Sequence, residues 1–443
     1  MGLRGRIFNL RVAADIKVLV SGVSAEINVV VDQLRRIRRA ATPIRVIFWG
    51  WLFGVAWPPS VLTLGVRVVV GSARVRLAAT APLVLMQPTT LCNLDCSYCY
   101  LPDRARARVM PVEVADAVAE AVASWSKIHP VRVLWHGGEP LATGAARLAA
   151  LIGRFRPGRD HPVRHSVQTN ATLVDDQWCE LFATTPVEVS VSLDGPAADN
   201  TARVDRGGHD STARTLRGIE ILRRHQIPFG AIAVVADPTP ARAVALYDWF
   251  AELGAASLGV NIEERKGVHR DISDAGTQVA EFWAALAQRW AADRRMPIRE
   301  LAHAFGYFRD TLAGRGAVRA DRPLNPMPMI TWDGHVVPVS PDLAGFSSPR
   351  LGPFTIGTVT DAPLAQLLTQ APEVPWVAEA LAGVAACRAG CDHFAYCRGG
   401  QAANKYFESG RLDITETGYC RNSKIALMKG LIHHAHTAHP HPA

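Results

Sequence analysis

Residues 91–102 read LCNLDCSYCYLP and set Cys92, Cys96 and Cys99 at the spacing C-x3-C-x2-C. Directly before them, 83–88 (LVLMQP) is a short apolar run with the character of a buried strand. A loop leaving a strand end can wrap three thiolates around one iron–sulfur cube. A [4Fe–4S] cube has four irons, and electron-transfer sites commonly hold it with four cysteines. Three cysteines leave one iron open to an exchangeable ligand. Zinc is the bland alternative, but it asks for four ligands. No fourth Cys lies nearby, and the nearest histidine, His129, is a helix away.

Working outward, short apolar runs alternate with amphipathic stretches. Strands are expected at 83–88, 131–136, 164–169, 187–193, 228–235 and 257–263. Helices are expected at 111–127, 142–155, 174–183, 212–225 and 240–253, where apolar residues recur at i, i+3 and i+4. Strands alternating with helices imply a parallel sheet with crossover connections. Six such units form an α/β partial (β/α)6 TIM-like barrel, whose chemistry belongs at the C-terminal strand ends. Residues 275–313 read as two further helices. A hairpin follows, with Asp333-Gly334 as its tight turn.

The charge is lopsided. Residues 1–80 hold 12 Lys/Arg against 3 Asp/Glu, and the remainder 36 against 37. The formal +8 is therefore no phosphate-tracking surface, and nucleic acid is not an expected partner. The uncharged run 46–66 is long enough to span a bilayer, but Pro58, Pro59 and three glycines interrupt it. It is read as part of an N-terminal extension of uncertain structure, not as a membrane segment. Eight cysteines, seven of them in two tight groups, in a long chain without a cleavable signal suggest metal ligands in a reducing cytoplasm. The eighth, Cys179, reads as a small buried hydrophobe.

Three motifs fall at expected strand ends. WHGGEP (135–140) offers Gly137 and Gly138 for close backbone approach, a carboxylate at Glu139 and a stiff exit at Pro140. QTNAT (168–172) and VSLDGP (191–196) place Gln168, Asn170, Ser192 and Asp194 where short polar side chains can face the barrel mouth. In NIEER (261–265), Asn261 and Glu263 alternate towards one face. Near the C-terminus Cys387, Cys391 and Cys397 read C-x3-C-x5-C, with Cys420 following. Four thiolates close a cluster completely, although a four-cysteine zinc site fits the same spacing.

These motifs together resemble the radical S-adenosylmethionine (SAM) superfamily, with Tyr98 as the aromatic before the third cysteine. The resemblance covers about 83–265 and extends to about 425 through a C-terminal SPASM/twitch-type auxiliary Fe–S domain. It implies that Cys92, Cys96 and Cys99 carry the SAM-binding [4Fe–4S] cluster and that SAM is cleaved there to a 5′-deoxyadenosyl radical. It implies that WHGGEP receives the methionine amine of SAM. The ends of the third and fourth strands and Arg203, with Arg206 as substitute, would meet its ribose and carboxylate. Full members of the SPASM type hold two auxiliary clusters. They carry a Cys where Gln401 stands, and others near the hairpin, where ITWDGHVVPVSPDLAG has none. One auxiliary [4Fe–4S] cluster, on Cys387, Cys391, Cys397 and Cys420, is therefore expected.

The closest likeness is to maturases that join side chains of a ribosomal peptide into cyclophanes. The expected partners are a precursor peptide and an electron donor such as flavodoxin or ferredoxin. Two rivals stand beside this: a sulfatase-maturase-like dehydrogenase that makes formylglycine, and a non-catalytic zinc- or Fe–S-stabilised peptide-binding protein. The expected domains are the extension 1–80, a core barrel 81–270, a helical connector 271–320, an auxiliary cluster domain 321–428 and a disordered His-rich tail 429–443.

Overall fold

The structure, a computed structural model, describes residues 75–156, 160–264, 266–269 and 278–438. Nearly all of the extension read over 1–80, the first residues of the connector and residues 439–443 lie outside the described residues.

Six parallel strands form the barrel: β1 (Leu83–Met86), β2 (Val131–Trp135), β3 (Val163–Thr169), β4 (Val187–Ser192), β5 (Phe229–Val235) and β6 (Ser257–Ile262). Each expected strand is present to within two residues. Between them run α1 (Val112–Trp125), α2 (Ala145–Ile152), α3 (Asp176–Thr184), α4 (Thr212–Arg224) and α5 (Pro240–Leu253). Local chemistry explains their limits. In α5, Pro240 opens the first turn, the Thr239 hydroxyl accepts from Arg242 N, and Gly254 closes the helix at φ 84°. Helix α1 buries Val114, Val118, Ala121, Val122 and Trp125, one stripe at helical spacing.

The strands are two-sided. In β4, Val187, Val189 and Val191 are buried, while Glu188, Ser190 and Ser192 on the other face remain partly open. Register carries that second face across the sheet: Gln168 pairs with Ser190, and Ser192 with Ile232. Polar atoms are thus delivered to the concave side.

Two more helices, α6 (Val279–Asp293) and α7 (Arg299–Leu312), follow, then the short α8 (Gly316–Asp321). The hairpin strands are β7 (Met329–Ile330) and β8 (Val336–Val337). β7 lies parallel to β1, pairing Leu85 with Met329, so the sheet order is β6-β5-β4-β3-β2-β1-β7-β8. The hairpin covers one barrel edge. Pro297–Ile298 covers the other, through Leu258 N donating to Pro297 O at 3.0 Å. Leu85 and Met329 also pack with Phe354, Trp376 and Val377, so β1 shares a core with the C-terminal part.

That part adds the small pair β9 (Ser347–Ser348) and β10 (Gly352–Pro353), then α9 (Leu364–Gln370), α10 (Pro375–Gly390), α11 (Phe394–Cys397) and α12 (Ala402–Ser409). A π-helical turn, Cys420–Ile425, leads into α13 (Ala426–Ala438). The tail expected to be disordered from 429 is helical through Ala438. Leu427, Leu431 and Ala435 bury one stripe of it, and Gly430 lets it approach the α6 backbone at Ala280 and Ala284. No helix among the described residues is long and apolar enough to cross a membrane.

Candidate active site

The loop after β1 carries the first three cysteines and is tied down along its length. Cys92 N donates to Arg104 O at 3.0 Å, Asp95 N to Val204 O at 2.8 Å, and Glu139 N to Leu91 O at 2.7 Å. The Arg104 guanidinium donates to the carbonyls of Cys96 (3.1 Å) and Cys99 (3.4 Å). Arg206 reaches the Cys92 carbonyl from Nε and Nη2, at 3.1 and 2.8 Å. Arg206 is therefore a clamp on the loop. Burial pushes the Cys92 thiol up to about 12, with the Glu139 charge adding to it, and burial also raises Cys96. Such thiols surrender their protons readily only to a metal.

Gly138 explains the close seam between this loop and the end of β2. A Cβ there would stand 2.5 Å from Thr89 O and 2.6 Å from Leu91 O, and its φ is +63°. Pro140 follows as the first residue of a 3₁₀ turn, Pro140–Thr143. Glu139 itself is 1% exposed. Its oxygens accept from Thr169 Oγ1 (2.7 Å), Asn170 N (2.7 Å) and Leu141 N (3.0 Å). Burial raises its pKa, and those donors work in the opposite direction. Glu139 fastens β2 to β3, so most of its acceptor capacity is already spent within the protein.

Asn170 stands beside the loop. Its Nδ2 lies 4.0 Å from Cys92 Sγ and donates to Asn93 Oδ1 at 2.9 Å, while its Oδ1 accepts from Thr172. Gln168 Nε2 donates to Ser192 Oγ at 2.8 Å on the concave face. Tyr98 OH donates to Asp194 Oδ2 (2.8 Å) and accepts from Arg203 Nη1 (2.5 Å). Asp194 Oδ1 also accepts from Val234 N at 2.9 Å, joining β4 to β5. Burial opposes the charge of Arg203, but Tyr98, Cys96 and Asp194 overcome it and hold the guanidinium protonated more firmly than usual. Its Nε is buried without a partner, a donor left for a ligand. Three soft donors on one loop, a backbone seam that tolerates no Cβ and an orphaned cationic donor fit an iron–sulfur cluster with an anionic chelating cofactor.

The four later cysteines also converge. Cys387 sits in the last turn of α10, Cys391 at its C-cap, Cys397 at the end of α11 and Cys420 at the π-helical turn. Cys397 and Cys420 share a hydrogen bond that raises the first thiol and lowers the second. Lys405 Nζ donates to Cys387 Sγ at 3.7 Å. Among the described residues no three His, Cys, Asp or Glu are grouped as around a single metal ion. The thiolates of a cubane bind different irons. Cys179 is buried in α3, as its pattern implied.

One network escaped sequence reading. Tyr100, next to Cys99, bonds His136 Nε2 at 2.9 Å and also Asp342. Asp342 pairs with half-buried Lys266 at 3.0 Å, and Asn404 donates to Glu264 at 2.7 Å. Asn261 and Glu263, read as alternating towards one face, each meet a neighbouring side chain: Asn261 accepts from Arg299 Nη2 at 2.7 Å, and Glu263 pairs with His269 at 3.2 Å.

Against known proteins, residues 86–250 match the family model of the radical SAM superfamily. An uncharacterized protein of Synechocystis sp. is 30% identical over 357 residues, covering 76% of this chain and 88% of that protein. The serine-type anaerobic sulfatase-maturating enzyme of Klebsiella aerogenes is 34% identical over 187 residues, 40% of this chain and 45% of that enzyme. In fold, the chain resembles anSMEcpe solved with bound AdoMet, with TM-score 0.63 and 21% identity over 80% of this chain and 98% of that one. It also resembles Streptococcus suis SuiB bound to its precursor peptide SuiA, with TM-score 0.54 and 13% identity over 77% and 76% of the two chains.

Proposed function

Because the chain belongs to the radical SAM superfamily, we propose that it oxidises a ribosomally made precursor peptide by joining two of its side chains through a C–C bond, giving a cyclophane. When bound, the [4Fe–4S] cluster and SAM supply one-electron cleavage to a 5′-deoxyadenosyl radical, which takes a hydrogen atom from an unactivated C–H bond. Cys92, Cys96 and Cys99 are the ligands that leave one iron open. The Gly137–Gly138 backbone and the free Arg203 donor would hold the amine and carboxylate of SAM, and Gln168 and Ser192 would meet its ribose. Tyr98 and Asp194 keep the Arg203 fork in place.

The observation that carries the oxidative reading is the second group, Cys387, Cys391, Cys397 and Cys420. It belongs to the part of the chain whose hairpin is bonded to β1, the strand that delivers the first cysteine loop. Each crosslink removes two hydrogens from the peptide. One would leave as an atom to the 5′-deoxyadenosyl radical and the other as a proton, and the second group would hold a cluster able to accept the remaining electron. A flavodoxin or ferredoxin in a reducing cytoplasm supplies the initiating electron. The peptide complex of SuiB supports the choice of substrate.

Sequence likeness to the serine-type maturating enzymes favours a second reading, oxidation of a serine to formylglycine. Anaerobic incubation with SAM, reductant and the peptide encoded beside the gene distinguishes them. Crosslinking gives a product two hydrogens lighter that does not fragment between the joined residues. An aldehyde captured by a hydrazide supports formylglycine instead, and unchanged mass contradicts both.

A further inference from the structure

A cavity of about 590 Å³ opens beside the second cysteine group. Five cations line it (Arg319, Arg322, Arg398, Lys405 and Lys424) and no carboxylate does. Gln401 and Ser340 add polar groups, bonded to each other at 3.3 Å. Of the four cysteines, Cys397 alone reaches its wall.

The pairing is incomplete. Arg319 bonds Asp310 at 3.3 Å, and Lys405, 1% exposed, lies against Cys387. Among the described residues, Arg322, Arg398 and Lys424 have no carboxylate within ion-pair distance. The Arg398 Nε is buried with no partner. Lys424 lies over the rings of Tyr396 and Tyr419, 5.7 and 5.2 Å from their centroids, and these carry no charge to balance it. Cations crowded into a concave, partly dry space repel one another unless an anion enters. Of the second group's thiols, Cys387 meets Lys405 and Cys397 feels the charge of Lys424, while Arg322 and Arg398 are left to an outside anion.

We propose that this cavity binds a carboxylate of the precursor peptide, from its C-terminus or from an Asp or Glu side chain, held by Arg322, Arg398 and Lys424. The assignment rests on the peptide reading above. Arginine forks suit the planar carboxylate. The volume is that of a small-ligand pocket, so a chain end fits where the surface of a globular acidic protein does not. Residues 1–80 of this chain, with 12 Lys/Arg against 3 Asp/Glu, carry the wrong sign to fill it.

The test uses the full-length protein, reconstituted with iron and sulfide and immobilised. A random octapeptide pool is passed over it in matched free-acid and carboxamide forms, and bound peptides are quantified by mass spectrometry. A charge-assisted pair is worth roughly a tenfold preference. Free acids recovered about tenfold over amides identify the C-terminus as the source. Enrichment of Asp or Glu in both pools identifies the side chain. Either preference should fall to parity in Arg322→Glu and in Lys424→Gln while iron content and SAM cleavage without peptide stay unchanged. Arg322 is exposed, so its variant keeps the test valid if Lys424→Gln fails to fold. No preference for carboxylate, or one that survives Arg322→Glu, overturns the proposal. A peptide that is captured through its carboxylate yet never oxidised sinks the maturase reading and leaves the cavity assignment standing.

Discussion

At Gly138 the seam between β2 and the cysteine loop depends on one missing methyl group. Gly138→Ala puts a Cβ against three backbone atoms of the cysteine loop and forces a positive φ on an L-residue. The loop must shift away from β2, and the hydrogen bond from Glu139 N to Leu91 O stretches. The expected outcome is a folded protein that retains less than about a tenth of wild-type SAM cleavage, since a misplacement of about 1 Å can cost 10²-fold. Anaerobic quantification of 5′-deoxyadenosine checks it, and wild-type turnover would show that the seam is not needed. The need for close approach was legible from a Gly-Gly at a strand end one βα unit after the cysteine loop, but the sequence pointed to a ligand as the neighbour, and the fold puts the cysteine-loop backbone against Gly138. The work of Glu139 was not, because its acceptor role depends on Thr169 and Asn170, about 30 residues away and brought near only by β2–β3 pairing. The sequence put Arg203 ahead of Arg206 but left both open. Only the fold gives one to the Tyr98–Asp194 pair and the other to the loop carbonyl.

Among elements, β3 holds a titratable group inside the core. His165 stacks on Trp135 at 6.1 Å and accepts from its indole N–H at 3.3 Å. Burial drives its pKa down to about 4 from an ordinary 6.5. The unfolded chain binds this proton first, so stability is full above pH 6.5 and is lost as pH falls towards 4. The loss is on the order of 3 kcal/mol once the fold must take up the charge. His165→Phe should be less stable at pH 8, where Trp135 loses its acceptor, but show a flatter pH dependence between 6.5 and 4. Denaturant titrations at several pH values measure this, and parallel curves for the two proteins would refute it. Barrel strands and helices could be located from apolar periodicity, because each is set by local pattern. The docking of β7 on β1 could not, since two-residue strands have no periodicity to read. The histidines of 433–436 masked the stripe Leu427, Leu431 and Ala435 that makes α13 a packed helix.

For the whole molecule, the barrel and the C-terminal part, each carrying one cysteine group, share a core at Leu85 and Met329 and the Tyr100–Asp342–Lys266 network. Spacing alone revealed the groups. It could not reveal the network, whose members come from the cysteine loop, the segment after β6 and the turn after β8. Nor could it reveal that a cationic cavity opens where Gln401 stands. On the proposed reading the two groups would carry different duties: the three-cysteine loop would open the chemistry and the four-cysteine set would serve the oxidation. The decisive measurement is 5′-deoxyadenosine formation by reconstituted wild type, Cys96→Ala and Cys397→Ala, with iron counted in each. Wild type should hold about eight irons and each variant about four. Cys96→Ala should release no 5′-deoxyadenosine, whereas Cys397→Ala should still cleave SAM but give no crosslinked peptide. Cleavage that persists in Cys96→Ala, or that disappears only with Cys397→Ala, would contradict the assignment of the open cluster to Cys92, Cys96 and Cys99.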